Sequence, residues 1–279
     1  MFIKKIKTIS LLIVLLFVSV LILTGCKDNN DDPGTNPGGF DNNVVTQVRN
    51  YNILEGTEHQ TAVYVFTSNV EGPKVAIVGG IHGDEVAGWK TALLLIEKVD
   101  YYHGTVMIIP QAYIKADNMI NRYPGYTASN GAKYNRALDL NRNFPGKANG
   151  TETEQIAYAI SQEVENFDAD YIIDLHESRR SVTDPNPLLG DLLIYGNIKS
   201  SIFCEEITYE FNKNYKLPGE VSFGTDQDAP GGAFNQYFGE KFPKKVVFTV
   251  ETNRQLTEAR RIEQQSQLLS IFFETIWSE

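Results

Sequence analysis

The chain has 279 residues, of which 42% are apolar, 22% charged and 11% aromatic, a composition that suits a globular domain and excludes a chain disordered throughout. Its net charge of −10 gives little attraction for phosphate backbones, so no nucleic-acid partner is expected. Two cysteines, Cys26 and Cys204, could form one disulfide, but Cys26 has another use. Cys204 then stands alone in the helix-like run SSIFCEEITYEF, with no nearby His to activate it, and reads as a small core residue.

The N-terminus reads as an address. Lys4, Lys5 and Lys7 precede an apolar run from Ile9 to Leu23, short for a spanning helix of roughly 20 apolar residues. The run ends in Leu23-Thr24-Gly25-Cys26, which resembles the lipobox of bacterial lipoproteins. That resemblance implies a signal peptide over residues 1–25, acylation of the Cys26 thiol and a lipid anchor as the sole membrane contact. The remainder would lie outside the cytoplasm. Residues 26–42 are rich in Asp, Asn, Gly and Pro, bury too little to order themselves, and read as a flexible tether.

The folded part is expected over residues 43–279. Two alternating stretches, Val44 to Leu54 and His59 to Ser68, predict a hairpin. Lys74 to Gly80 predicts a buried strand entering a tight turn, and Val86 to Val99 a helix. Thr105 to Pro110 predicts a strand, Gln155 to Phe167 a helix and Tyr171 to Leu175 a strand. Asp191 to Tyr195 and Lys245 to Val250 add two strands, and Thr257 to Trp277 a final helix. Buried strands alternating with helices predict one α/β domain with a mixed, mostly parallel sheet covered on both faces. In such sheets chemistry gathers at the carboxyl ends of strands.

Those ends carry a pattern. His82 and Glu85 follow the Lys74 strand, His176 and Glu177 the Tyr171 strand, and Glu251 the Lys245 strand. His82 and Glu85 are three apart at a helix start, a spacing that puts both on one face. Two His and one carboxylate, with a fourth position open, are a catalytic zinc arrangement, and Glu251 could serve as general base. His59 and His103 read as ordinary hydrogen-bonded loop residues. The polar loop Leu138 to Gly146 contains Asn141 and Arg142; packed polar residues in a loop suggest a site, and a guanidinium is suited to bidentate recognition of a carboxylate.

GGIHGDE, DLNRNFPG, DLH and a strand ending in Glu, in that order, resemble the zinc carboxypeptidase superfamily, and the forms HGDE and DLNR-x-FPG its succinylglutamate desuccinylase/aspartoacylase branch. The resemblance runs from about Val75 to Thr252. It implies one zinc per chain on His82, Glu85 and His176, with Glu251 as general base and Asn141 and Arg142 on the substrate carboxylate. It implies an Arg on the scissile carbonyl, for which Arg122 and Arg136 are candidates and Arg136 is nearer the motif in the way the aspartoacylase branch suggests, and Asp139 and Asp174 behind the Arg and His side chains. No Tyr matches the mobile-loop Tyr of carboxypeptidases in Gly224 to Phe234, where Asp226 and Asp228 read as turn residues or as a cation selector.

The expected activity is hydrolysis of an amide next to a free carboxylate. Peptides or cell-wall stem peptides are the leading substrates and N-acyl amino acids the alternative. A non-catalytic surface binding protein is a third reading, which a retained general base argues against.

Overall fold

The computed structural model describes residues 45–97, 103–126, 133–179, 190–227 and 229–277. The signal, lipidation and tether readings of residues 1–42 lie outside them. The strands are β1 (Val45–Ile53), β2 (Thr61–Ser68), β3 (Lys74–Gly79), β4 (Thr105–Ile109), β5 (Tyr171–Ser178), β6 (Leu192–Tyr195), β7 (Gly224–Asp226) and β8 (Val246–Asn253). The helices are α1 (Val86–Glu97), α2 (Ile114–Met119), α3 (Glu152–Phe167), α4 (Ile198–Asn214), α5 (Phe234–Lys241) and α6 (Glu258–Trp277).

The strands form one 8-stranded sheet in the order β1-β2-β4-β3-β5-β8-β6-β7. The centre, β4-β3-β5-β8, is parallel throughout. The β1–β2 hairpin joins one side antiparallel through β4, and β6 joins the other antiparallel to β8 before pairing parallel with β7. The expected α/β domain with a mixed sheet is what the chain adopts.

Alternate residues of one strand serve opposite layers, as the period of two requires. On β3, Val75 and Ile77 join a core cluster with Leu95 of α1, Ile207 and Phe211 of α4, and Leu268 and Phe272 of α6. Ala76 and Val78 join a second cluster with Ala116 of α2, Ile156 and Ile160 of α3, and Phe234 and Phe238 of α5. The sheet is thus covered on both faces, which is why its central strands read as unbroken apolar runs. Cys204 is a buried core residue, and burial pushes its thiol pKa up, away from any nucleophilic role.

Strand ends differ from the expectation in one consequential way. β5 continues through His176, Glu177 and Ser178, and β8 through Glu251, Thr252 and Asn253. Their ladder pairs His176 directly with Glu251. The polar residues that read as the start of a loop are the last rungs of the sheet. Helices α2 and α5 and strand β7 were not expected from the sequence. They are short, and their polar, Gly- and Pro-flanked sequences carry too few periodic apolar positions.

Candidate metal centre and the cavity around it

The turn from β3 into α1 presents His82 and Glu85. Gly80 makes this turn with φ of +72°, a region that favours glycine. At Gly83, a Cβ would lie 2.1 Å from the Ala116 backbone of α2, so the turn can pack flat only without a side chain there. Glu85 N donates to His82 O at 3.2 Å, so the i, i+3 pair sits on a turn before α1 rather than on the helix itself.

The structure brings His82, Glu85 and His176 together. They are 3%, 5% and 1% exposed, and one donor atom from each lies within 4.8 Å of the others. His82 Nδ1 is 2.8 Å from Glu85 Oε1, and His176 Nδ1 is 2.6 Å from Glu85 Oε2. The far nitrogens face carboxylates: His82 Nε2 is 2.9 Å from Asp139 Oδ1, and His176 Nε2 is 3.0 Å from Asp174 Oδ2. Asp174 is held in turn by the Thr249 hydroxyl. At His82 the hydrogen-bonded carboxylate fixes the proton on Nε2 and directs the Nδ1 lone pair to the centre, the usual support for metal-binding histidines; at His176 the Asp174 carboxylate stands at ion-pair distance in the same position.

Electrostatics tests whether a cation fits. Glu85, Asp139, Asp174 and Glu251 are all buried around the two imidazoles. Burial pushes the Glu85 carboxyl up, but the charges of His82 and His176 outweigh it and hold it well below the usual range. Burial lowers the His176 pKa, and the Glu85 charge and Asp174 overturn that and raise it well above the usual value. At Glu251 the balance goes the other way: burial first, then the Glu85 charge, outweigh the lowering by His176 and Arg122 and push it up to about 8, and its Oε2 has no hydrogen-bond partner. Glu85 is thus held as a carboxylate between the two imidazoles, with the unpartnered Glu251 Oε2 nearby. That donor set, two His and one carboxylate, suits a divalent cation such as zinc.

A cavity of about 910 Å³ opens over the cluster, lined by His82, Glu85 and Glu251 with Arg122, Asn141 and Arg142. Arg122 Nε donates to Asp139 Oδ2 at 2.9 Å, and Nη1 lies 3.4 Å from Glu85 Oε1. Arg136 is elsewhere: its guanidinium donates to Gly231 O, and it does not line the cavity. Of the two candidates, the structure places Arg122 in the site. Arg142 Nη1 donates to Asn141 O at 2.6 Å, while Asn141 Oδ1 accepts from Phe234 N at 2.8 Å, the start of α5. Asp226 lines the cavity, and Asp228 lies outside the described residues.

Sequence reasoning gave no role to three residues. Thr249 supports Asp174, Tyr134 donates its phenol to Asp139 Oδ2 at 3.0 Å, and Glu177 lines the cavity. The ladder partner of Thr249 is Asp174, so only the strand register reveals it. His103 packs on the Trp277 ring, centroids 5.1 Å apart, in keeping with an ordinary role.

Residues 71–189 match the succinylglutamate desuccinylase/aspartoacylase catalytic domain. An N-alpha-acetyl-L-2,4-diaminobutyric acid deacetylase of Halomonas elongata is 33% identical over 115 residues, covering 40% of this chain and 30% of the relative. The product-bound ectoine utilization protein EutE of Ruegeria pomeroyi has a similar fold, with TM-score 0.57 and 21% identity over 78% of this chain and 61% of that one. The tripeptide-bound cell shape determinant Csd4 of Helicobacter pylori has TM-score 0.58 and 19% identity over 74% of this chain and 51% of that one. The chain thus spans less than two thirds of the length of each of these proteins. Residues 71–189 thus resemble the succinylglutamate desuccinylase/aspartoacylase catalytic domain, and the fold of the described residues is similar to that of these solved structures.

Proposed function

We propose that the chain is a zinc-dependent hydrolase, with one zinc per chain, that cleaves an amide bond next to a free carboxylate. The observation that carries this is the convergence of both Nδ1 atoms on Glu85, each ring faced by a carboxylate at Nε2, with Glu251 directly opposite His176 across the β5–β8 ladder. His82, Glu85 and His176 would hold the ion. Bound zinc supplies Lewis acidity, which activates water and polarises a carbonyl.

The chain's own residues do the rest. Glu251, as carboxylate, takes the proton of the attacking water and passes it to the leaving nitrogen. Arg122, fixed by Asp139, donates to the oxygen on which negative charge develops. Arg142 and Asn141 hold the substrate carboxylate and so place the amide, which replaces a chance encounter by a positioned one. Asp139 and Asp174 keep the imidazoles oriented throughout.

Peptides, cell-wall stem peptides among them, are the leading substrates. A cavity of about 910 Å³ is near the upper end of ordinary ligand pockets and has room for more than an acyl amino acid. The Csd4 structure of similar fold holds a tripeptide. The deacetylase relative supports N-acyl amino acids as the second reading. Product analysis separates them. Release of a C-terminal amino acid from di- or tripeptides supports the first, and release of an acyl acid from single N-acyl amino acids supports the second. Glu251→Gln should lower kcat by about 10²- to 10⁴-fold on the true substrate. A purified, zinc-loaded protein inactive on both classes would contradict the hydrolase reading.

The Lys4–Cys26 segment supports an extracytoplasmic, lipid-anchored protein. Cys26→Ser should move the protein from the membrane fraction to the soluble fraction, and an unchanged distribution would contradict the anchor.

A further inference from the structure

Glu177 follows His176 on β5, and its side chain is fully buried although it borders the cavity. It makes three bonds in three directions. Its backbone N donates to Glu85 Oε2 at 3.0 Å. Its Oε2 accepts from Ala87 N at 3.1 Å, in the first turn of α1. Its Oε1 accepts from Arg261 Nε on α6. Helix α1 has no acidic residue in its own first turn, so Glu177 supplies the carboxylate at its positive end. That turn begins one residue after Glu85.

Helix α6 grips the same place twice. Arg261 is steadied by Nη1 donating to Leu256 O at 2.6 Å. Gln265, one turn on, donates to His176 O at 2.9 Å and to Thr252 Oγ1 at 3.1 Å. Consecutive residues of β5, His176 and Glu177, are thus tied to one helix that lies outside the 71–189 family match. An apolar contact could anchor α6 equally well, but it could not also bond Ala87 N. A buried Glu–Arg pair is a costly way to join a helix to a sheet unless its geometry serves a purpose. Functional constellations need their groups held within about 0.5 Å.

We propose that Glu177 and Arg261 are a positioning pair for the metal centre, locking the first turn of α1, and with it Glu85, to the end of β5 that carries His176. The inference rests on the zinc reading above. Neither residue is among the proposed zinc ligands. Each acts through the placement of Glu85 relative to His176.

The test is zinc affinity of the full-length protein, measured by competition with a chromophoric chelator, beside the melting temperature of the metal-free forms. Glu177→Gln and Arg261→Gln should each weaken zinc binding about 10- to 100-fold. The double variant should be no weaker than the worse single, because the two act as one unit. Arg260→Gln is the control: Arg260 neighbours Arg261 but pairs with Glu220, at 2.7 Å, so its loss should lower the melting temperature and leave zinc affinity unchanged. If Arg261→Gln does not fold, Arg261→Lys should give an intermediate affinity. Parental affinity in Glu177→Gln and in the Arg261 variants, whatever their melting temperatures, would overturn the inference, as would additive losses in the double variant. In either case a zinc-binding parent leaves the proposed function standing. A parent that binds no zinc would overturn that function and this inference together.

Discussion

Two clusters of His and Glu exist among the described residues, and they are built from the same side chains to different ends. His82, Glu85 and His176 are buried at the strand ends. His59 sits with Glu58 and Glu152 where the β1–β2 turn meets the start of α3, and the two carboxylate side chains there are 58% and 54% exposed. In the first cluster each ring has a carboxylate at its far nitrogen. In the second, His59 Nε2 pairs with Glu152 while Nδ1 has no partner. Glu58 is already occupied by the Lys115 ammonium, at 2.5 Å, whose hydrogen bond lowers the Glu58 pKa. The second cluster is thus a neutralised surface network whose carboxylates water can also satisfy. Donor type alone does not make a site. Burial, support at the far nitrogen and an unpartnered carboxyl beside the ligands do.

The largest effect that sharpens this contrast is at Asp139. Asp139→Asn removes the charge behind His82 and beneath Arg122, and should weaken zinc binding about 10- to 100-fold. His59→Ala, the matching change in the other cluster, should leave zinc affinity unchanged and cost about 1 kcal/mol of stability through the lost Glu152 bond. Chelator competition and denaturant unfolding on both variants check the pair. Equal effects on zinc would erase the distinction.

A smaller effect separates burial from charge compensation. Asp117, on α2 behind the Gly80 turn, is buried with neither oxygen hydrogen-bonded, and burial pushes it up to about 9. Glu85 is as deeply buried but is held low by two imidazoles. A folded-state pKa raised this way favours the protonated form. Asp117 therefore costs nothing at pH below its ordinary value of 3.8, and the protein loses stability as pH rises from there toward about 9. Asp117→Asn, which resembles the protonated acid, should stabilise the fold by about 1–3 kcal/mol at pH 8 and by little at pH 4. Unfolding curves at the two pH values measure it. A variant less stable at pH 8 would show that Asp117 has a partner in solution.

How far the sequence reached can be traced residue by residue. The buried strands, the long helices and the ligand set were legible, because apolar runs and an ordered set of polar motifs are local signals. The short elements were not: β7 is Gly-Thr-Asp, and only its pairing with β6 makes it a strand. Between Arg122 and Arg136 the resemblance favours Arg136, the nearer to the DLNR motif, but it is Arg122 that lines the cavity. What separates them is that Arg122 follows α2, which packs on the Gly83 turn, while Arg136 begins a 3₁₀ turn that directs it toward Gly231. Thr249 and Glu177 act across the β5–β8 ladder or from β5 to α1 and α6, contacts between residues distant in sequence that no local pattern encodes.

The most direct test of the central claim is the zinc content of the full-length protein beside Glu85→Ala and His59→Ala. About one zinc per chain is expected in the parent and in His59→Ala, and none in Glu85→Ala. Zinc absent from the parent after loading, or retained by Glu85→Ala and lost from His59→Ala, would contradict the assignment of the buried cluster as the metal centre.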